Sequence, residues 1–248
     1  VTALAFRSAA ATHAGSVRAH NEDSYVDRPD IGLWAVADGA GGHAAGEVAS
    51  RMVADALSSI PPGLSAAEML AQVRLRIAAT HLALREEAAR RGRDAVVATT
   101  VVVLLIRDAH FACLWAGDSR AYLLRDGHLA QVSRDHSLVQ EMVDAGALAP
   151  ELAEGHAQAN IITRAVGAAI DELALDKVTG AVARGDRFLL CSDGLCKVIP
   201  DDAIAAALGG GETAEAVNAL VAATLAQGAP DNVTAIAIEA QASGAHDG

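Results

Sequence analysis

Between Val97 and Val132 four strand-like runs crowd together: Val97 to Ile106, His110 to Ala116, Ala121 to Arg125 and Leu129 to Val132. Parallel neighbours need crossover connections of a dozen or more residues, so where runs this close are paired they pair antiparallel. Asp126-Gly127, the last connection, is a residue pair favoured in two-residue hairpin turns. Further strand-like runs lie at about Leu4 to Ala14, Ile31 to Ala37, Asp176 to Val182, Phe188 to Ser192 and Val233 to Glu239. Helical patterns come in pairs, about Ala44 to Ser59 with Ser65 to Arg91, and about Asp201 to Leu208 with Glu212 to Ala226. Ser65 stands three residues before Glu68, a capping-box spacing, and Pro61-Pro62-Gly63 reads as a loop between the first two helices. Ser137 to Ala145 predicts a short helix, and Gly146 to Asn160 is a less periodic surface segment. Antiparallel strands with segregated helix pairs make the fold class α+β rather than doubly wound, with two packed sheets and helices outside. With no repeat, low-complexity tract or linker, residues 1–248 are expected to form a single domain.

The longest nearly apolar run, Val96 to Ile106, contains two threonines and is too short to cross a bilayer, so no membrane partner is expected. Arg7 interrupts the only stretch resembling a leader. Cys113, Cys191 and Cys196 cannot all pair and lie in or beside apolar stretches, as expected of reduced thiols in a cytoplasmic protein without a zinc site. A net charge of −12 argues against a nucleic-acid partner. It also repels anionic substrates, so an enzyme acting on phosphoesters needs a local positive centre, which bound divalent metal would supply.

Four aspartates sit at strand mouths. Trp34-Ala35-Val36-Ala37 runs into Asp38-Gly39, and Phe188 to Ser192 runs into Asp193-Gly194. Phe111 to Ala116 runs into Gly117-Asp118-Ser119, and Asp231-Asn232 stands before Val233 to Ile238. Singly, each reads as a turn or cap residue. Together, two of them in near-identical frames, they point to a shared site. Converging carboxylates need cations to remain ionised, and thiol-free oxygen ligands select Mg²⁺ or Mn²⁺. Arg18, Asn21, Glu22 and Asp23 form a companion cluster, either a solvated charged loop or an arginine for phosphate beside acids that orient waters. Gly39 to Ala44 matches a dinucleotide fingerprint, but Asp38 would face the pyrophosphate and a second helix follows where a parallel strand should return.

In this order, Arg18-Ala-His-Asn21-Glu22-Asp23, Val36-Ala-Asp38-Gly39-Ala-Gly41-Gly42-His43, Ala98-Thr99-Thr100, Gly117-Asp118-Ser119-Arg120, Ser192-Asp193-Gly194-Leu195 and Asp231-Asn232-Val233-Thr234 resemble the metal-dependent protein phosphatases of the 2C class, bacterial branch. The resemblance runs from about Ser16 to Ile238 and implies a four-layer αββα sandwich with two core Mn²⁺ or Mg²⁺ ions. It implies that Asp38 bridges these ions, that the Gly39 carbonyl binds one, and that Asp193 and Asp231 complete the other. Glu22 and Asp23 would hold water ligands or touch metal, Asp118 with Asp193 would form a third, weaker metal site, and Arg18 would grip the phosphate. A flap is implied over about 137–165, ending in Asn160-Ile-Ile-Thr163-Arg164-Ala-Val-Gly167.

The implied reaction is in-line attack on phosphoserine or phosphothreonine by a water that the two cations acidify, without a phosphoenzyme. The implied partners are phosphorylated proteins, together with a cognate Hanks-type kinase and its substrates, and the protein is expected to be a monomer regulated by partners. Ala40 stands where eukaryotic members carry a proposed general-acid histidine and bacterial ones usually methionine, so that position donates no proton. A metal-bound water is then the default proton donor; His43, His136 and His156 are possible helpers, but they read first as surface or loop residues. A cysteine-nucleophile phosphatase is disfavoured, since Lys197 stands where its loop needs arginine after Cys191. The alternatives are a non-catalytic phosphopeptide-binding relative and a small-molecule phosphomonoesterase. Ala-Gly-Glu-Val-Ala-Ser after His43 also resembles phosphatases encoded with type VI secretion kinases.

Overall fold

A computed structural model describes residues 4–41 and 45–242; His43 and its expected surface role lie outside the described residues. In chain order the elements are β1 (Leu4–His13), β2 (Asp23–Arg28), β3 (Leu33–Ala40), α1 (Ala45–Ser58), α2 (Ala66–Arg91), β4 (Ala98–Thr99), β5 (Val101–Arg107), β6 (His110–Ala116), β7 (Arg120–Arg125), β8 (His128–Gln131), α3 (Leu138–Asp144), β9 (Asp176–Ala181), β10 (Arg187–Cys191), α4 (Asp193–Cys196), α5 (Asp201–Gly209), α6 (Thr213–Ala226) and β11 (Val233–Ala242). One sheet has the order β1-β11-β10-β7-β8 and the other β2-β3-β5-β6-β9, with β4 beside β3. Every pairing is antiparallel.

Strand periodicity builds the four layers. In β3, Trp34 and Val36 point between the sheets while Leu33, Ala35 and Ala37 meet α1 and α2. In β5, Val102, Leu104 and Ile106 face the partner sheet, and Val101, Val103 and Leu105 face the helices. The other sheet repeats the pattern, with Phe188, Leu190, Ile236 and Ile238 inward and Leu189, Cys191, Ala235 and Ala237 against α5 and α6. Large side chains thus fill the space between sheets, and alanines let the helices pack close. Trp34 is fully buried, and its Nε1 donates to Asp27 Oδ1 at 3.0 Å, which satisfies the indole's polar end.

The expected capping box is present: Glu68 N donates to Ser65 Oγ at 3.3 Å and Ser65 N to Glu68 Oε2 at 2.8 Å. Asp126 and Gly127 adopt φ of 51° and 79°, the two left-handed residues of a type I′ turn. Two elements differ from expectation. The polar segment before Ile31 contains β2, an edge strand whose charged residues hide its alternation. The run Val97 to Ile106 is two strands, because Thr100 leaves the ladder: its N–H donates to the Asp38 carbonyl at 2.8 Å and its Oγ1 accepts from Asp38 N at 3.0 Å. Among the described residues no helix is long and apolar enough to cross a membrane.

Candidate metal centre

The strand ends converge at one end of the sandwich. Asp23 in β2 lies directly across from Asp38 in β3. Asp118 follows β6, and the Ser119 hydroxyl meets Thr100 Oγ1 at 2.7 Å, joining that turn to the residue that holds Asp38. From the other sheet, Asp193 follows β10 and Asp231 precedes its antiparallel neighbour β11, so both emerge at the same edge. The sheets are joined here through the buried Asp23, whose Oδ2 accepts from Ser192 Oγ at 2.8 Å and Thr234 Oγ1 at 2.7 Å.

The Asp-Gly frames need glycine because backbones touch. A Cβ on Gly194 would lie 2.0 Å from the Asn232 carbonyl oxygen, so glycine lets the start of α4 pack on the Asp231-Asn232 turn. Gly39 and Gly46 face each other in the same way. A Cβ on Gly46 would stand 2.7 Å from both Glu22 Oε2 and the Gly39 carbonyl oxygen, so glycine keeps a space that these two oxygens border.

Burial and mutual repulsion dominate the electrostatics. Asp38 keeps part of its surface exposed, yet the protein crowded around its carboxylate, then Asp23, Asp193 and Asp118, push its pKa well above the usual range. Burial pushes Asp23 up to about 7 against the hydroxyl bonds from Thr234 and Ser192, with Asp193 and Asp231 adding to the shift. Asp118 is pushed up to about 6 by burial and then by Asp193, while Lys197 opposes. Two cations already answer part of this charge. Lys197 Nζ lies 3.0 Å from Asp118 Oδ2 and 2.6 Å from Asp193 Oδ2, and Arg18 Nη2 lies 2.8 Å from Asp231 Oδ2. Burial works against the charge on Lys197, but Asp193 and Asp118 outweigh it and raise its pKa.

The donors fit hard divalent cations. Two buried side-chain atoms without any hydrogen-bond partner, Asp23 Oδ1 and Asp118 Oδ1, are carboxylate oxygens of this cluster. The neighbouring donors are oxygens, and the Gly39–Gly46 space is bordered by two more. Among the described residues no three His, Cys, Asp or Glu side chains are already spaced to hold one ion.

Other groups are committed elsewhere. His136 is not a surface residue: it is buried, stacks on Trp115 with ring centroids 6.1 Å apart, and accepts from Gly117 N at 3.2 Å. Its second nitrogen lies 3.2 Å from Asp176 Oδ2, and burial lowers its pKa. His156 Nδ1 accepts locally from Gln158 N at 3.2 Å. All three cysteines are buried and free; burial pushes Cys113 up to about 12, and Cys196 is also raised well above the usual thiol value, first by its hydrogen bond with Cys191 and then by burial. Neither is a thiolate at neutral pH.

Asn232 plays a larger part than its place in a motif suggests. Its Nδ2 donates to the carbonyls of Ala14 and His20, both at 2.9 Å, and its Oδ1 accepts from Glu22 N at 2.8 Å. It staples the loop carrying Arg18 and Glu22 to the start of β11; the signal in the sequence was an asparagine beside a site aspartate. Asn232→Ala strips partners from three backbone groups. It is expected to lower unfolding free energy by about 2–3 kcal/mol in urea titration, with unchanged stability overturning the assignment.

The chain matches the family model described as protein phosphatase 2C over residues 12–235. It is 40% identical over 234 residues to the serine/threonine protein phosphatase PstP of Mycobacterium tuberculosis, an alignment covering 94% of this chain and 45% of that protein. The chain thus spans less than half of that relative. Among solved structures it resembles one described as PppA, a key regulatory component of T6SS in Pseudomonas aeruginosa, with TM-score 0.88, 42% identity, and coverage of 95% of this chain and 97% of that one. It also resembles the catalytic domain of PstP in complex with two manganese ions, with TM-score 0.82, 37% identity, and coverage of 96% and 99%.

Proposed function

The chain belongs to the protein phosphatase 2C family, and from that premise we propose that it is a metal-dependent serine/threonine protein phosphatase acting as one catalytic domain. The observation that carries this reading is the convergence of Asp23, Asp38, Asp118 and Asp193, with two buried oxygens left without a partner. Asp38, the Gly39 carbonyl, Asp193 and Asp231 would hold two Mn²⁺ or Mg²⁺ ions, with Glu22 and Asp23 orienting waters around them. When bound, the ions would acidify a water for attack and neutralise charge on the phosphoryl oxygens.

The chain's own residues supply the rest. Arg18 gives one N–H to Asp231 and, with its side chain 55% exposed, keeps further donors for the phosphate. The network of Ser192, Thr234 and Asn232 holds the carboxylates and the Arg18 loop in place before substrate arrives. Ala40 cannot donate a proton, and His136 has both ring nitrogens engaged, which favours a water as the source of the leaving oxygen's proton. We assign residues 137–165 to a flap beside the cleft. Support comes from the bridge between Ser137 and Ile162, which closes the segment at its base. A Hanks-type kinase as the opposing enzyme, a cytoplasmic site of action and a monomeric state belong to the same proposal. Type VI secretion is a pathway to test first, a choice that the likeness to PppA supports.

The test is hydrolysis of a phosphothreonine peptide with Mn²⁺, with and without chelator, beside a small phosphate ester. Phosphate release that the chelator abolishes, and that favours the peptide, is expected. Activity indifferent to chelation overturns the metal-dependent reading. Peptide binding without hydrolysis favours a non-catalytic relative, and preference for the small ester favours a metabolite phosphatase.

A further inference from the structure

Lys197 ends the single turn of α4 that Asp193 begins, with Lys197 N donating to the Asp193 carbonyl at 2.9 Å. At this i, i+4 spacing its side chain runs back along the turn to the carboxylate. An ammonium has three N–H donors, and here three oxygens from separate parts of the chain receive them. They are Asp118 Oδ2 at 3.0 Å, Asp193 Oδ2 at 2.6 Å and Asn160 Oδ1 at 3.1 Å. Asp118 is almost wholly enclosed, and the lysine side chain is itself only 24% exposed. The position between Asp118 and Asp193, where the resemblance places a third divalent ion, is therefore filled by a tethered cation with every donor used. Asp118 Oδ1 remains without a partner, but one oxygen does not make a cation site.

We propose that Lys197 replaces the third divalent ion of the centre, so that this chain binds two ions and takes its third positive charge from its own side chain. The proposal rests on the two-metal reading above and departs from the expected third metal site at Asp118 and Asp193. The charge arrives with the fold and is independent of metal supply. Through Asn160 the same ammonium also contacts the base of the flap.

Mn²⁺ binding by equilibrium dialysis, checked by the electron paramagnetic resonance of free Mn²⁺, tests this without reference to activity. Wild type and Lys197→Arg are expected to bind two equivalents. Lys197→Met and Lys197→Gln, which free both carboxylates from the ammonium, are expected to bind three. Adding Asp118→Asn to Lys197→Met should remove the third. Circular dichroism confirms folding, and Lys197→Gln carries the test if the methionine variant does not fold. A third equivalent in wild type, or two in both neutral variants, overturns the replacement of the ion by Lys197. No bound Mn²⁺ in any protein overturns the metal centre itself, and this inference with it.

Discussion

Asp38→Asn is expected to lower Mn²⁺-dependent turnover by about 10³-fold or more while making the metal-free protein more stable. Asp38 stands among Asp23, Asp193 and Asp118, and the protein crowded around its carboxylate, then their charges, push its pKa well above the usual range. An amide of nearly the same shape removes one negative charge from the cluster. The backbone there is held independently of the side chain, since the Asp38 carbonyl accepts from Thr99 Oγ1 at 2.9 Å and Thr100 N at 2.8 Å. Relief of like-charge repulsion should therefore appear as a gain of about 1–3 kcal/mol in chelator. Measuring kcat with Mn²⁺ and the urea midpoint in chelator checks both signs. A carboxylate that only supported the fold would lose stability together with activity, and that outcome, or undiminished turnover, removes Asp38 from the centre.

Much of this was legible in the sequence because strands advertise themselves through apolar alternation and turns through Asp-Gly pairs. Trp34 to Ala37 and Phe188 to Ser192 carry both signals, so Asp38 and Asp193 were visible as strand-end carboxylates. What stayed hidden depends on tertiary neighbours. β2 is an edge strand with polar residues, and only its pairing with β3 shows that Asp23 opposes Asp38. Thr100 breaks a run that periodicity alone would continue, because its backbone and hydroxyl both serve Asp38. His136 is the loop histidine it reads as, but its burial shows only once Trp115 and Gly117 are seen against it. Lys197 looked like a missing arginine in the wrong kind of phosphatase, and its contacts with Asp118 and Asn160 bridge 79 and 37 positions of chain. Spacing within one motif does not report a side chain that answers two others.

The metal-free protein is expected to lose stability as pH rises from about 4 to about 7, and Mn²⁺ is expected to reverse that loss. Asp23 titrates near 3.8 when unfolded and at about 7 when folded, and Asp118 at about 6. A carboxylate raised on folding makes the native state hold more protons than the unfolded state within that window. Stability therefore falls with increasing pH, and the full penalty is reached above the folded pKa. Asp38 acts in the same direction. His136 opposes them, because burial lowers its pKa and the native state then binds fewer protons below about 6.5. It is one imidazole against three carboxylates. The carboxylates lowered by ion pairing or hydrogen bonds, such as Asp30, Asp144 and Asp176, lose their contribution only below about pH 4, outside the window. The net penalty amounts to several kcal/mol, enough to lower Tm by roughly 10 °C or more for a chain of this length. Bound cations remove it by favouring the ionised carboxylates, so metal binding should release protons and tighten with pH. Melting curves at pH 5 and pH 8, in chelator and in Mn²⁺, should show the metal raising Tm far more at pH 8. Calorimetric titrations in buffers of different ionisation enthalpy should register the protons released. A metal-free Tm that climbs across this interval, or an equal Mn²⁺ effect at both pH values, would mean that the acidic cluster is neither strained by its own charge nor relieved by metal.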